Sequence, residues 1–151
     1  MEKQHMYQAI EHYLPHKAPM ILLDHVVDCA DDFTRCEVTV TDDGVLAPFL
    51  TTEGLPAWFF VEIMAQTVGV WNGLRLEKAE RSPAIALLLG IRNFITSVDY
   101  AARNDHLIVR ADMVLFDEVL SNFKCELALN GSVVASANIV AYEASHLSNI
   151  K

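Results

Sequence analysis

The sequence predicts an α+β domain in which one long apolar helix is wrapped by an antiparallel sheet, and three observations predict it. The twenty-residue run LPAWFFVEIMAQTVGVWNGL, beginning at Leu55, carries Glu62 as its only charge. Shorter segments that alternate in polarity or run apolar lie on both sides of it, and an Asn-Gly pair joins the last two. One helix followed by consecutive strands is the order of α+β folds, not of alternating βα units.

Each element has its own warrant. Tyr7, Ile10 and Leu14 recur at helical spacing, so residues 4–13 read as a short amphipathic helix ended by Pro15. Residues 20–29, MILLDHVVDC, follow Pro19 and read as a first strand; residues 34–40, TRCEVTV, alternate with period two and read as a second. In the central run Pro56 fits a first helical turn, because its missing N–H has no intrahelical partner there, and Gly73 marks the region of the end. Its apolar side chains fall on every face, and a helix apolar all round has to be covered all round. Residues 85–95, 107–116, 122–129 and 132–142 supply strands for that cover, and Asn130-Gly131 predicts a type I′ hairpin between the last two.

Composition narrows the function. At 151 residues the chain reads as a single domain, 1–151, and 52% hydrophobic against 21% charged residues is a globular balance. A net charge of -9 disfavours nucleic acid and anionic membrane surfaces as partners, and Arg75, Lys78, Arg81 and Arg92 are the cations available for a local positive patch that docks an acidic carrier. Cys29, Cys36 and Cys125 have no metal-ligand spacing and read as reduced, buried thiols of a cytoplasmic protein. His12 and His16 are four apart, but Pro15 interrupts the helix and no third ligand is evident, so neither a metal nor another cofactor is expected. No phosphate-binding glycine loop and no G-x-S-x-G elbow is present. No stretch is apolar enough for secretion or membrane insertion.

Five segments together resemble a known family: LPHKAPMILLDHVVD at 14–28, APFL at 47–50, PAWFFVEIMAQTVGV at 56–70, LLGIRNFITSV at 89–98, and the closing hairpin. In that order they are similar to the β-hydroxyacyl-ACP dehydratases of fatty-acid synthesis and their hotdog-fold relatives, including the dehydratase-like proteins of aryl-polyene clusters. The resemblance implies a hotdog subunit that forms a homodimer, or a heteromer with a related hotdog subunit, with active sites at the interface. It also implies an acyl thioester substrate on acyl carrier protein or coenzyme A.

Removing water from a 3-hydroxyacyl thioester needs a base for the α-proton, an acid for the departing hydroxyl and a donor for the thioester oxygen. Glu62 matches the family's acidic residue, and Phe59, Phe60, Ile63 and Met64 around it would desolvate it into a useful acid; the plainer alternative is a glutamate reaching the surface. Ala57, just after Pro56, stands where the family has a glycine whose backbone N–H polarises the thioester carbonyl. Gly90 would admit the acyl chain or pantetheine arm close to the backbone, or else mark a bulge. The family's histidine has no counterpart, because APFL runs into TTEGLPA. His16 is the first substitute base, against a histidine that fixes a turn, and His25 reads as solvent-facing. The resulting reading is a dehydratase-like protein acting on 3-hydroxyacyl thioesters; the alternatives are a half-site subunit of a heteromeric dehydratase and a thioesterase in which Glu62 activates water.

Overall fold

In the computed structural model, residues 7–15, 17–80, 87–117 and 120–143 are described. The chain enters through a 3-10 turn at Ile10–His12 and forms β1 (His25–Ala30), β2 (Phe33–Thr39), a 3-10 turn at Ala47–Phe49, β3 (Leu55–Pro56) and α1 (Phe59–Lys78). It continues with β4 (Leu87–Thr96), β5 (Tyr100–Ala101), β6 (His106–Asp117), β7 (Leu120–Leu129) and β8 (Ser132–Glu143). Six strands make one antiparallel sheet in the order β1-β2-β6-β7-β8-β4, and β3 pairs with β5 separately.

The sheet wraps α1 because alternate residues of its strands are apolar and face inward: Cys36 and Val38 from β2, Leu107 and Val109 from β6, Phe123, Cys125 and Leu127 from β7, all buried. Strand β8 contributes Ala135, Ala137 and Ala141 with Ile139, small side chains at three of four positions. On α1 itself Phe60, Ile63, Met64, Val68, Val70, Trp71, Leu74 and Leu76 are buried. The far side of the helix is closed by the leading segment, where Ile10, Tyr13, Leu14, Ile21, Leu22 and Leu23 are buried in the same core.

Two glycines let that segment sit down. A Cβ on Gly73 would lie 2.3 Å from the Tyr13 carbonyl oxygen, and one on Gly69 would lie 2.8 Å from Leu14 Cδ2. Gly73 is therefore a seat inside the helix and not its end. The helix runs on to Lys78, with Arg75 and Lys78 in the last turn, where cations suit the dipole.

The other departures from the sequence reading have local causes. Residues 7–13 hold a three-residue 3-10 turn in place of an amphipathic helix, and residues 4–6 lie outside the described ones. Residues 20–24 form no strand, Met20 standing in a bend and Asp24 making a single backbone hydrogen bond to the Glu37 carbonyl, so β1 begins at His25. Pro56 belongs to β3, paired with Tyr100, and α1 starts three residues later. Gly54 supports that arrangement with φ 123° and with its α-carbon so near the Ala101 carbonyl that a Cβ would lie 2.1 Å from the oxygen. The Asn-Gly hairpin is as expected, with φ 49° at Asn130 and 94° at Gly131.

Candidate active site

Backbone pairing, an arginine clamp and an aromatic contact hold the start of α1. Its approach is pinned by the β3–β5 pair, and the Ala57 N–H donates to the Asp99 carbonyl at 2.9 Å. Before it, Arg103 clamps the 42–52 loop, donating from Nε to Asp42 Oδ1 at 2.8 Å and from a terminal nitrogen to the Thr51 carbonyl at 2.9 Å. Phe49 from the second 3-10 turn meets Phe59, ring centroids 5.2 Å apart, and Trp58 beside it is 67% exposed. An aromatic wall therefore stands at the helix start with one face toward solvent.

Glu62 lies one turn in and is half-buried. Its Oε1 accepts from Gln66 Nε2 at 3.2 Å, and the same nitrogen donates to the Met20 carbonyl at 2.7 Å. Gln66 Oε1 in turn accepts the Leu22 N–H at 2.9 Å. Gln66 is 1% exposed, so one buried amide ties the leading segment to the helix and fixes the carboxylate. Of the four apolar residues expected to desolvate Glu62, Phe60, Ile63 and Met64 are wholly buried in the core and Phe59 is half-buried, whereas Glu62 keeps partial contact with solvent and an amide neighbour.

The remaining sequence candidates fall as follows. The Ala57 N–H is engaged by the Asp99 carbonyl, a correction to the expectation of an open donor; the cause is that Ala57 lies in the turn between β3 and α1, directly after the Pro56–Tyr100 pair, where its N–H faces the strand partner and not solvent. Pro56 is buried on β3 and not in a helical turn. Gly90 pairs with Val140 in a regular stretch of β4, exposed, with nothing within 4 Å of where a Cβ would stand; the irregularity lies between Arg92 and Ile95, at Asn93 with φ 56°. His16 lies outside the described residues. His25 is exposed at the head of β1, 3.9 Å from Glu37 Oε2, and His12 pairs with Glu77. Of the cations named for a patch, Arg75 and Lys78 share the last turn of α1, Arg92 is on β4, and Arg81 lies outside the described residues. Gln66 and Arg103 were not singled out from the sequence; Gln66 had a signal, four residues after Glu62 in the V-E-x-M-A-Q segment, and Arg103 had none.

All three thiols are pushed upward by burial, Cys36 most strongly and Cys125 up to about 12. Among the described residues no cluster of His, Cys, Asp and Glu is placed to hold a metal, and no helix is long and apolar enough to cross a membrane.

A single long helix enclosed by an antiparallel sheet defines the hotdog class of folds, and solved structures agree. The chain superposes on a chain of the dehydratase heterocomplex ApeI:P from Xenorhabdus doucetiae with a TM-score of 0.85 and 34% identity, covering 95% of this chain and 99% of that one. The PaaI protein of E. coli shares the fold alone, with a TM-score of 0.60 and 11% identity over 78% of this chain and 81% of that one. Residues 8–151 match the ApeP-like family, described as ApeP dehydratase, and the chain belongs to that family. It is also 26% identical over 142 residues to the 3-hydroxyacyl-[acyl-carrier-protein] dehydratase FabZ of Psychrobacter arcticus, covering 89% of this chain and 93% of the relative. To the corresponding FabZ of Acinetobacter baumannii it is 24% identical over 135 residues, covering 88% and 92%. The chain is thus a dehydratase-like hotdog protein, as its leading and helical segments implied.

Proposed function

We propose that this chain is a subunit of a heteromeric dehydratase that removes water from 3-hydroxyacyl thioesters carried on acyl carrier protein or coenzyme A. The observation that carries the reading is the fixed position of Glu62, one turn inside α1 and oriented by a buried Gln66. In its protonated form Glu62 gives its proton to the departing hydroxyl. With Ala57 occupied, stabilisation of the thioester oxygen falls to first-turn amides such as that of Phe59, at a helix start that has no side-chain cap on Trp58. The α-proton is taken by a histidine from a related hotdog subunit, because the 47–50 segment ahead of the helix, APFL, has none.

Strand β4 gives that partner a place. It ends the sheet, and Leu89, Ile91 and Ile95 on it are exposed, with Ile95 at 66%. An exposed apolar edge is a template for strand pairing. The solved relative at 34% identity comes from a heterocomplex, which supports the same arrangement.

The test is turnover of 3-hydroxyacyl and enoyl thioesters by the purified chain alone, by a related histidine-bearing subunit alone, and by the two together. Activity that rises only in the mixture and falls at least about a hundredfold with Glu62→Gln supports the proposal. Full dehydration by the chain alone, abolished by His16→Ala, would place the base in this chain instead. Release of free acid without enoyl product would make it a thioesterase.

A further inference from the structure

A cavity of about 460 Å³ opens at the other end of α1, lined by Trp71, Leu74, Arg75 and Lys78 from the helix and by Met113 and Phe116 from β6. Small-molecule sites commonly have this size. Leu74 is twelve residues beyond Glu62, about 18 Å along the helix axis, so the cavity is separate from the candidate active site.

Its walls are ordered and of two kinds. Trp71 is held by a hydrogen bond from Nε1 to the Asp31 carbonyl at 3.0 Å, and Phe116 meets it edge-on with centroids 6.2 Å apart. Arg75 lies with its guanidinium carbon 5.4 Å from the Trp71 ring and 6.0 Å from the Phe116 ring, and it donates to Asn72 Oδ1 at 2.9 Å. Aromatic faces and a neighbouring amide thus fix one cation against the apolar lining. Lys78 adds a second at the mouth, where it lies 3.5 Å from Asp31 in an exposed pair that a competing anion can exchange.

Apolar depth with two cations at the rim is complementary to an amphipathic anion. We propose that this cavity binds a carboxylate with an unbranched apolar tail, a fatty acid of medium length, the head group between Arg75 and Lys78 and the tail along Trp71, Leu74, Met113 and Phe116. A carboxylate suits the guanidinium fork, and a tail replaces water on aromatic and thioether surface. Asp31, 3.5 Å from Lys78 and itself part of the lining, opposes the head group, so the site selects against doubly charged ligands.

The chain has two tryptophans, so Trp58→Phe leaves Trp71 as the reporter inside the cavity. In that protein sodium decanoate, titrated below its micelle concentration, should change the fluorescence saturably, with decylamine and decan-1-ol as comparison ligands. Lys78→Met should weaken decanoate binding about tenfold and Asp31→Asn should tighten it severalfold. Both side chains are largely exposed, so both variants should fold. Glu62→Gln should leave decanoate binding unchanged, which separates this site from the acyl slot. The proposal is overturned by the absence of saturable change, by equal binding of decylamine, by insensitivity to Lys78→Met and Asp31→Asn, or by loss of binding with Glu62→Gln.

Discussion

Gln66 and Glu62 share a hydrogen bond of 3.2 Å across one helical turn, and the donating nitrogen is itself locked at 2.7 Å to the Met20 carbonyl. The carboxylate is therefore positioned by an amide that cannot turn without breaking a bond to the leading segment.

Replacing Gln66 by Leu keeps the volume and removes both functions of the amide. The Leu22 N–H and the Met20 carbonyl lose their partner, which should cost about 1–3 kcal/mol in urea unfolding. Any dehydration supported by Glu62 should fall further than stability alone explains. Gln66→Glu is the companion variant: it keeps an acceptor for Leu22 but loses the donor, so its activity should be low while its unfolding midpoint lies between the other two.

Two glycines should answer an added methyl in opposite ways. At Gly73 the Cβ would meet backbone atoms of Tyr13, which cannot move aside singly, and Gly73→Ala should destabilise by about 3 kcal/mol. At Gly90 it would meet nothing within 4 Å, so Gly90→Ala should leave the thermal midpoint of the isolated chain unchanged or slightly raised. Equal effects at the two positions would contradict the packing described.

Alkaline stability should depend on the core thiols. Burial raises Cys36 and Cys125 above the ordinary thiol value of 9.0, the second to about 12. A raised native pKa means that both states hold the proton below about pH 9, where stability is full. Above it the unfolded chain releases protons that the native core keeps, and stability falls by about 1.4 kcal/mol per pH unit for each thiol until the native group titrates. Cys36→Ala with Cys125→Ala should flatten that limb between about pH 9 and 12 even if the double variant is less stable at neutral pH. An unchanged slope would mean that the thiols are not buried as described.

Assembly should fail when the β4 edge is charged. Ile95→Lys places an ammonium on a residue already 66% exposed, so the isolated chain should keep its unfolding midpoint within about 0.5 kcal/mol. Light scattering should then show loss of association with the related subunit. Retained association would move the interface away from this strand.

How much of this was legible in the sequence depends on how local the cause was. The run around Phe60 to Trp71 declared a buried helix because its apolar residues cover every face, and the β6, β7 and β8 strands followed from alternation and from Asn130-Gly131. The start of α1 was misplaced because Pro56 suits a first helical turn and an extended strand equally. The deciding interactions, Pro56 with Tyr100 and the Ala57 N–H with Asp99, come from over forty residues away. The helical spacing of Tyr7, Ile10 and Leu14 misled for a similar reason: those residues pack against the core from a segment whose only helical piece among the described residues is the three-residue 3-10 turn. Glu62 was found by its motif, whereas its partnership with Met20 through Gln66 and the cavity at Arg75 depend on tertiary contacts that no local pattern encodes.

The seat that Gly73 makes for Tyr13 is shaped by atoms that are missing, and this makes mutational tolerance lopsided. The tyrosine can shrink and leave a gap that water or a neighbour refills, but the glycine has no smaller substitute and no larger one that fits. In a saturation library of this chain, position 13 should therefore admit several residues while position 73 keeps one.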